Sequence, residues 1–286
     1  MQTVFNTREL RDIVAGWRRD GHRIAFVPTM GNLHDGHLSL LERAREIADR
    51  TVVSIFVNPI QFGKGEDYAT YPSTLADDQA KLARNGLDVL FAPNLAQLYP
   101  GGMEEDTRVT VPGLSTILCG EFRPGHFSGV ATVVTKLFCS VQPDCALFGN
   151  KDLQQLMVIR RMVDDLCMPV EVIGQPIVRE PDGLAMSSRN SYLSEAERAI
   201  APTIYATLQE AVRDVRKAGA DFRAIEARSL EALRDAGFKP EYFGIRRAAD
   251  LLVAEADERD LAILTAAWLG SARLIDNIRV SLDEPA

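Results

Sequence analysis

Cysteine and histidine are scarce in this chain, basic residues are outnumbered by acidic ones, and no long apolar run is present. The four cysteines, Cys119, Cys139, Cys145 and Cys167, form no CxxC pair. Settings such as CSVQPDC read as packed thiols, which argues against a disulfide framework and for a reducing compartment. Only four histidines occur, and no cysteine lies beside the closest pair. A structural zinc, which takes four protein ligands, is therefore not expected, and no protein-held metal is assigned. Lys and Arg number 32 against 40 Asp and Glu, a net charge of −8. Nucleic acid and anionic membrane both need a basic face, so neither is an expected partner. An anionic small molecule remains compatible, because a few cations and backbone N–H groups can hold one. No apolar stretch reaches the roughly 18 residues of a membrane span. The opening MQTVFNTREL lacks the apolar core of a signal peptide, so a cytoplasmic protein is expected.

What is present is ordinary globular composition, 46% hydrophobic and 25% charged over 286 residues, enough for a sizeable core. Asn6 with Glu9 resembles a capping arrangement ahead of Leu10, Ile13, Val14 and Trp17 at helical spacing, and Gly21 ends that helix. Arg23–Thr29 and Thr51–Val57 are continuous apolar runs of strand length, the look of buried parallel strands. Between them a helix runs to about Arg50, which makes a βαβ unit. A polar segment, QFGKGEDYATYP, leads to a helix near Thr74–Asn85 and a strand at Leu87–Pro93. A Gly/Pro-rich insertion spans about Pro100 to Gly129. Next come a helix near Val130–Val141, a strand at Asp144–Phe148, a long helix Asp152–Cys167, and strands around Val170–Ile173 and Ile177–Val178. This order predicts an α/β fold: a Rossmann-like, doubly wound, mostly parallel sheet over residues 1–183, with a smaller C-terminal α+β domain over 184–286. In the smaller domain a pair of helices, about 194–219 and 222–236, precedes EYFGIRR and LAILTAAWLG, which read as antiparallel strands.

Several polar motifs fall just past predicted strand ends or at the expected domain junction. The first is Pro28-Thr29-Met30-Gly31-Asn32-Leu33-His34-Asp35-Gly36-His37. A strand end that opens a helix is where open α/β sheets bind ligands, and the helix start offers N–H groups to phosphate. Gly31 and Gly36 let backbone approach a polyphosphate closely. His34 and His37 can share one helix face and donate to phosphoryl oxygens, although the HxxH spacing alone equally fits two surface histidines on a turn. Met186-Ser187-Ser188-Arg189-Asn190 offers two hydroxyls and a guanidinium from a loop, or simply a cap for the helix that follows. Gly149-Asn150-Lys151-Asp152 repeats the strand-end geometry with a lysine. Asn58-Pro59-Ile60-Gln61-Phe62 places Gln61 past another strand end. Gln155, one turn into the long helix, is a second neutral group able to bond hydroxyl and carboxylate oxygens. Arg123-Pro124-Gly125-His126-Phe127 adds a cation and a histidine, or only a rigid turn.

Taken together these residues match a known family. HDGH resembles the HxGH signature of the HIGH-type nucleotidyl transferases, and MSSRN looks like their KMSKS-like phosphate loop. PTMGNLHDGH, FVNPIQFG, RPGHF with GVATVVTKLF, FGNKDLQQL and MSSRN, in that order, resemble the pantothenate synthetase family over nearly the whole chain, most weakly after residue 200. Asn32 and Asn150 depart from the family pattern. The resemblance implies ATP-dependent, AMP-forming condensation of (R)-pantoate with β-alanine through a pantoyl adenylate, with Mg²⁺ accompanying ATP. It implies ATP binding by Met30, Gly31, Asn32, Leu33, His34, Asp35, Gly36 and His37, with Gly149, Asn150, Lys151, Asp152, Val178, Met186, Ser187, Ser188 and Arg189 completing the nucleotide site. His37, His34 and Lys151 would be catalytic. Gln61 and Gln155 would bind pantoate, and Gln61 also β-alanine. Asn58, Arg123 and His126 would be pocket or interface residues. A homodimer is implied as well. The alternative is another HIGH-type adenylyltransferase acting on a phosphate ester, which would need cations where this chain has Gln61 and Gln155.

Overall fold

In a computed structural model, residues 1–63 and 65–283 are described. Lys64 of the polar segment QFGKGEDYATYP and the last residues of the expected C-terminal domain, 284–286, lie outside them. The chain forms two compact units. One is Met1–Asn150 with Gln155–Pro176, and the other is Lys151–Gln154 with the chain from Ile177 on.

The first unit is built on six strands: β1 (Gln2–Val4), β2 (Ile24–Thr29), β3 (Arg50–Ile55), β4 (Val89–Phe91), β5 (Cys145–Gly149) and β6 (Glu171–Gln175). Their order is β1-β4-β3-β2-β5-β6, and every pairing is parallel. Among the described residues, seven α-helices connect or flank them: α1 (Thr7–Arg19), α2 (Asp35–Ile47), α3 (Leu75–Arg84), α4 (Leu95–Leu98), α5 (Cys119–Phe122), α6 (His126–Val141) and α7 (Leu153–Asp165). The side-chain alternation of β2 shows why helices cover both faces. Ala25 and Val27 join Leu40, Leu41, Ala44 of α2 and Leu82 of α3 in one apolar cluster. Phe26 points the other way, its ring edge-on to Phe138 of α6 at 6.3 Å. Strands buried on both faces in this way need continuous apolar sequence, which is what β2 and β3 carry. The doubly wound parallel sheet expected from the sequence is therefore the one that forms.

From β2 the chain builds outward through β3 and β4, then returns to lay β5 on the other side of β2. The ends of β2 and β5 thus flank a topological switch point, the position where such sheets open a crevice beyond their carboxyl ends. β1, a three-residue edge strand, is absent from the sequence-based reading. Helix α6 starts at His126, earlier than the predicted Val130. The predicted helix from Asp152 opens instead with a 3₁₀ turn, Asn150–Asp152, before α7.

In the second unit, helices α8 (Glu195–Ile200), α9 (Thr203–Val215) and α10 (Phe222–Asp235) accompany an antiparallel sheet of β7 (Lys239–Arg247), β8 (Asp260–Leu269) and β9 (Ala272–Ser281), in the order β7-β8-β9. Its core joins Ile204, Leu208 and Ala211 of α9 and Phe222 and Ile225 of α10 to Phe243, Ile245, Leu261, Ile263 and Leu274 of the sheet. The single helix read over 194–219 is two, because the chain turns at Ala201-Pro202 and proline has no N–H to continue a helical ladder. Strand β9 was not foreseen. Ile177–Val178 is not a strand either: the segment is one arm of a small hairpin closed by the Arg179–Ala185 bridge. Leu184 of that hairpin sits in the core of the second unit, which is why this unit begins at Ile177.

Candidate active site

The loop leaving β2 is fixed by a carboxylate that sequence reasoning passed over. Asp78 of α3 is fully buried, and it accepts from the N–H groups of Asn32 and Leu33, each at 2.8 Å, and from Thr74 Oγ1 at 3.0 Å. Thr29 Oγ1 donates to Ser54 O at 2.7 Å and accepts from Gly31 N at 3.3 Å, while Lys81 Nζ donates to Leu33 O at 2.6 Å. The turn itself needs left-handed backbone at Gly31 (φ 85°) and Asn32 (φ 50°). A side chain at Gly31 would also crowd Asp78 Oδ2 and Ile55 at 3.1 and 3.2 Å. A signal for Asp78 did exist. Leu75, Asp78 and Leu82 share one helical face, so the acid falls on the side that must be buried.

That loop delivers His34 to the N-cap of α2 and His37 to its first turn. The rings lie 4.1 Å apart between centroids, and His34 N–H donates to His37 Nδ1 at 3.3 Å. A ring nitrogen that accepts a backbone N–H carries no proton, so a neutral His37 holds its proton on Nε2. Asp35 is exposed, and Gly36 and His37 are half-buried. Their position at a helix start combines N–H donors with the positive end of the helix dipole.

Gln61 ends a 3₁₀ turn, Pro59–Gln61, just past β3. Its Oε1 accepts from Asn58 Nδ2 at 3.2 Å, and its Nε2 lies 3.2 Å from Met30 Sδ. Asn58 is fully buried. It also donates to Gly129 O at 3.1 Å and accepts from Tyr99 OH at 2.8 Å. Burial first, then the Asp106 charge, push the Tyr99 phenol far up, which keeps it a donor. Arg123 binds Glu66 through Nε and Nη2 at 2.6 and 2.5 Å, and its Nη2 reaches Gln61 O at 3.4 Å. His126 Nδ1 lies 2.8 Å from the same oxygen. Burial alone would raise the Glu66 carboxyl, but the Arg123 hydrogen bond and charge outweigh it and hold it below its ordinary range. Asn150, after β5, lays its amide over β6, where only Gly174 leaves room: a Cβ there would come within 2.3 Å of Asn150 Oδ1. Gln155 sits half-buried in the first turn of α7. The first unit therefore brings together Met30, Asn58, Gln61, Arg123 and His126, and separately pairs His34 with His37.

The second unit holds the remaining motif residues. Lys151 is half-buried, with Nζ 3.9 Å from Asp152 Oδ2, and its carbonyl accepts from Asn277 Nδ2 at 3.0 Å. Beside Asn277, the buried Asp276 takes both Nη atoms of Arg179 at 2.6 and 2.9 Å. Burial pushes the Asp276 carboxyl up, opposed by Arg179, the Asn277 N–H and the Lys151 charge. Arg179 also lies 3.6 Å over the Tyr205 ring. Met186 N–H bonds Val178 O at 3.0 Å, so these two motif residues face each other across the hairpin. Ser187 then caps a 3₁₀ turn, Ser188–Tyr192, by accepting from Arg189 N. The turn makes the serines and Arg189 neighbours on a short, half-buried segment.

A protein-family model described as Pantoate-beta-alanine ligase matches residues 2–279. The chain belongs to the pantoate-beta-alanine ligase family. Pantothenate synthetase of Pseudomonas fluorescens (strain Pf0-1) is 56% identical over 286 residues, covering all of both chains, and that of Azotobacter vinelandii is 55% identical over 282 residues. The crystal structure of pantothenate synthetase from Thermus thermophilus is similar to this chain with a TM-score of 0.90 and 48% identity, over 97% of this chain and 99% of that one. Pantoate-beta-alanine ligase from Francisella tularensis, solved with beta-gamma ATP and beta-alanine, has a TM-score of 0.82 and 34% identity, over 100% and 99% of the two chains. As a pantoate-beta-alanine ligase the chain is an enzyme that joins an acid to an amine. Its six-stranded parallel sheet and separate three-stranded antiparallel sheet match the folds of those relatives. Among the described residues, no helix is long and apolar enough to cross a membrane.

Proposed function

We propose that this ligase condenses (R)-pantoate with β-alanine through a pantoyl adenylate, releasing AMP and pyrophosphate, in the cytoplasm and as a homodimer. The observation that carries the site assignment is the His34–His37 pair at the switch point, with the His37 tautomer set by the His34 N–H. In the first half-reaction a carboxylate oxygen of pantoate attacks the α-phosphorus of ATP. His37, holding its proton on Nε2, hydrogen-bonds the phosphate chain as negative charge moves to the departing pyrophosphate, and His34 fixes its orientation. Met30–His37, Gly149, Asn150, Asp152, Val178 and Met186–Arg189 hold the nucleotide, and Lys151 supplies a point charge to the triphosphate.

In the second half-reaction the β-alanine amine attacks the acyl carbon, and AMP leaves with the oxygen that pantoate contributed. Gln61 and Gln155 bind pantoate, and Gln61 also receives β-alanine. A phosphate-ester substrate is disfavoured, because Arg123, the cation bonded to the Gln61 turn, is already paired with Glu66. Mg²⁺ would neutralise charge on the phosphate oxygens of ATP. The residues suit an ion carried mainly by phosphate and water: among the described residues no three His, Cys, Asp or Glu side chains converge, and both oxygens of Asp78 are committed to backbone N–H groups. Purified protein given ATP, pantoate and β-alanine should form AMP, pyrophosphate and pantothenate in equal amounts. ADP with inorganic phosphate, or turnover that does not require pantoate, would overturn the reading. Light scattering tests the dimer.

A further inference from the structure

We propose that Arg123, His126 and Glu66 are positioning residues that set the pantoate-binding side chain of Gln61 by holding its backbone carbonyl. The inference rests on the reading that Gln61 binds pantoate. It starts from a proton count. Gln61 O can only accept, so His126 Nδ1, 2.8 Å away, must carry the proton. Arg123 Nη1 can only donate, so His126 Nε2, 3.1 Å away, must have none. His126 is thereby a neutral relay fixed in one tautomer, donating to Gln61 and accepting from Arg123. Arg123 is itself immobilised by two hydrogen bonds to Glu66, with side chains only 12% and 18% exposed.

The remaining sides of Gln61 are closed as well. A Cβ on Gly129 of α6 would stand 2.8 Å from Gln61 N and Cα, so helix and turn are in backbone contact. Asn58 fixes the side-chain oxygen. With the backbone held by His126 and Arg123 and the oxygen held by Asn58, the Gln61 side chain has little freedom left before substrate arrives. Preorganised binding groups give up less entropy on association, so the arrangement acts on affinity for the acid more than on chemistry. Arg123 is also unsuited to being an anion-binding residue here, because Glu66 already occupies the carboxylate-shaped fork of its guanidinium.

The test is a double-mutant cycle on KM for pantoate, using wild type, His126→Phe, Gln61→Ala and the double variant. Phe keeps the ring beside Phe127, whose centroid is 4.9 Å away, and removes only the nitrogens. His126→Phe should raise the pantoate KM about tenfold, the loss of one hydrogen bond to a held group, with kcat and the KM for ATP within about threefold. His126→Asn, which can still donate to Gln61 O, should recover most of that loss. Once Gln61 is alanine there is no side chain left to position, so the double variant should match Gln61→Ala alone. Equal penalties from His126→Phe in both backgrounds would overturn the proposal while leaving Gln61 as a pantoate ligand. An unchanged pantoate KM in Gln61→Ala would remove the ligand assignment, and the positioning role with it. If His126→Phe does not fold, Glu66→Gln replaces it. That change, on a side chain outside the core, should raise the pantoate KM about threefold and only when Gln61 is present. No effect there would equally overturn the proposal.

Discussion

If His37 acts on the phosphate chain as proposed, one nitrogen carries the chemistry. Its Nδ1 accepts the His34 N–H, which would leave Nε2 to follow the charge that builds on pyrophosphate. His37→Gln should therefore slow adenylate formation by about 10²–10³-fold, the usual cost of losing one well-placed donor. The later amine attack should be slowed far less, because pyrophosphate has gone by then. Supplying preformed pantoyl adenylate separates the two steps, and an equal loss in both would mean that the ring shapes the whole pocket instead. Glu66 gives a prediction of a different kind. Its carboxyl is held below an ordinary value of 4.5, so the folded state binds this proton less readily than the unfolded chain. The stability this contributes is fully present above pH 4.5 and is lost as pH falls through the depressed folded value. The Tm gap between wild type and Glu66→Gln should therefore be constant near neutrality and close on acidification below that pH. A gap that widens there would give the shift the wrong sign. Residues of this kind were only partly legible. The HxxH pair and Gln61 stand out because unusual side chains follow strand ends, whereas Asp78 shows only as an acid on the apolar face of its helix and Glu66 acts through an ion pair that no local pattern announces.

Among the elements, those that bury a continuous apolar run or carry their own cap were readable. The Asn6–Glu9 cap is present, with Asn6 Oδ1 accepting from Glu9 N at 2.9 Å, and β2 and β3 fall within a residue or two of their predicted places. β1 is too short for any periodicity. β9 hides its alternation behind Asp276 and Asn277, which are 2% and 4% exposed and serve Arg179 and the Lys151 carbonyl. The hairpin at Ile177–Ala185 resembles a strand in sequence because its first arm is apolar, yet it makes only one bridge. Helix α6 started earlier than expected because its N-terminal turn carries His126, Ser128 and Gly129, which look like loop. Gly129 has a structural duty that composition cannot show. Gly129→Ala would force a methyl to within 2.8 Å of the Gln61 backbone, and backbone cannot swing aside as a side chain can. The helix should move away from the turn, destabilising the protein by about 1–3 kcal/mol. The pantoate KM should rise because the Asn58–Gly129 and His126–Gln61 bonds would lengthen together. Urea unfolding and KM on one sample check this, and a stable variant with normal KM would show the contact to be slack.

For the whole molecule, the fold class was legible from the order of apolar runs, and the family from five motifs that occur in order along the chain. Which bond forms first is a question of chemistry, and it admits a decisive tracer. If a pantoate carboxylate oxygen attacks the α-phosphorus, that oxygen stays on phosphorus when β-alanine displaces AMP at the acyl carbon. Pantoate labelled with ¹⁸O in its carboxylate should then give AMP carrying one labelled oxygen and pantothenate retaining the other in its amide carbonyl. Attack at the γ-phosphorus would instead release ADP, and the label would appear in inorganic phosphate. The first course is expected because the helix start at Asp35–His37 offers N–H donors suited to a departing pyrophosphate, whose charge must be received as the α-phosphorus bond breaks. Mass spectra of the nucleotide and of phosphate from a single reaction distinguish the routes. Labelled phosphate beside unlabelled nucleotide would sink the adenylate mechanism and leave the family assignment standing, because membership rests on matched residues and fold while the order of bond making rests on where those donors act.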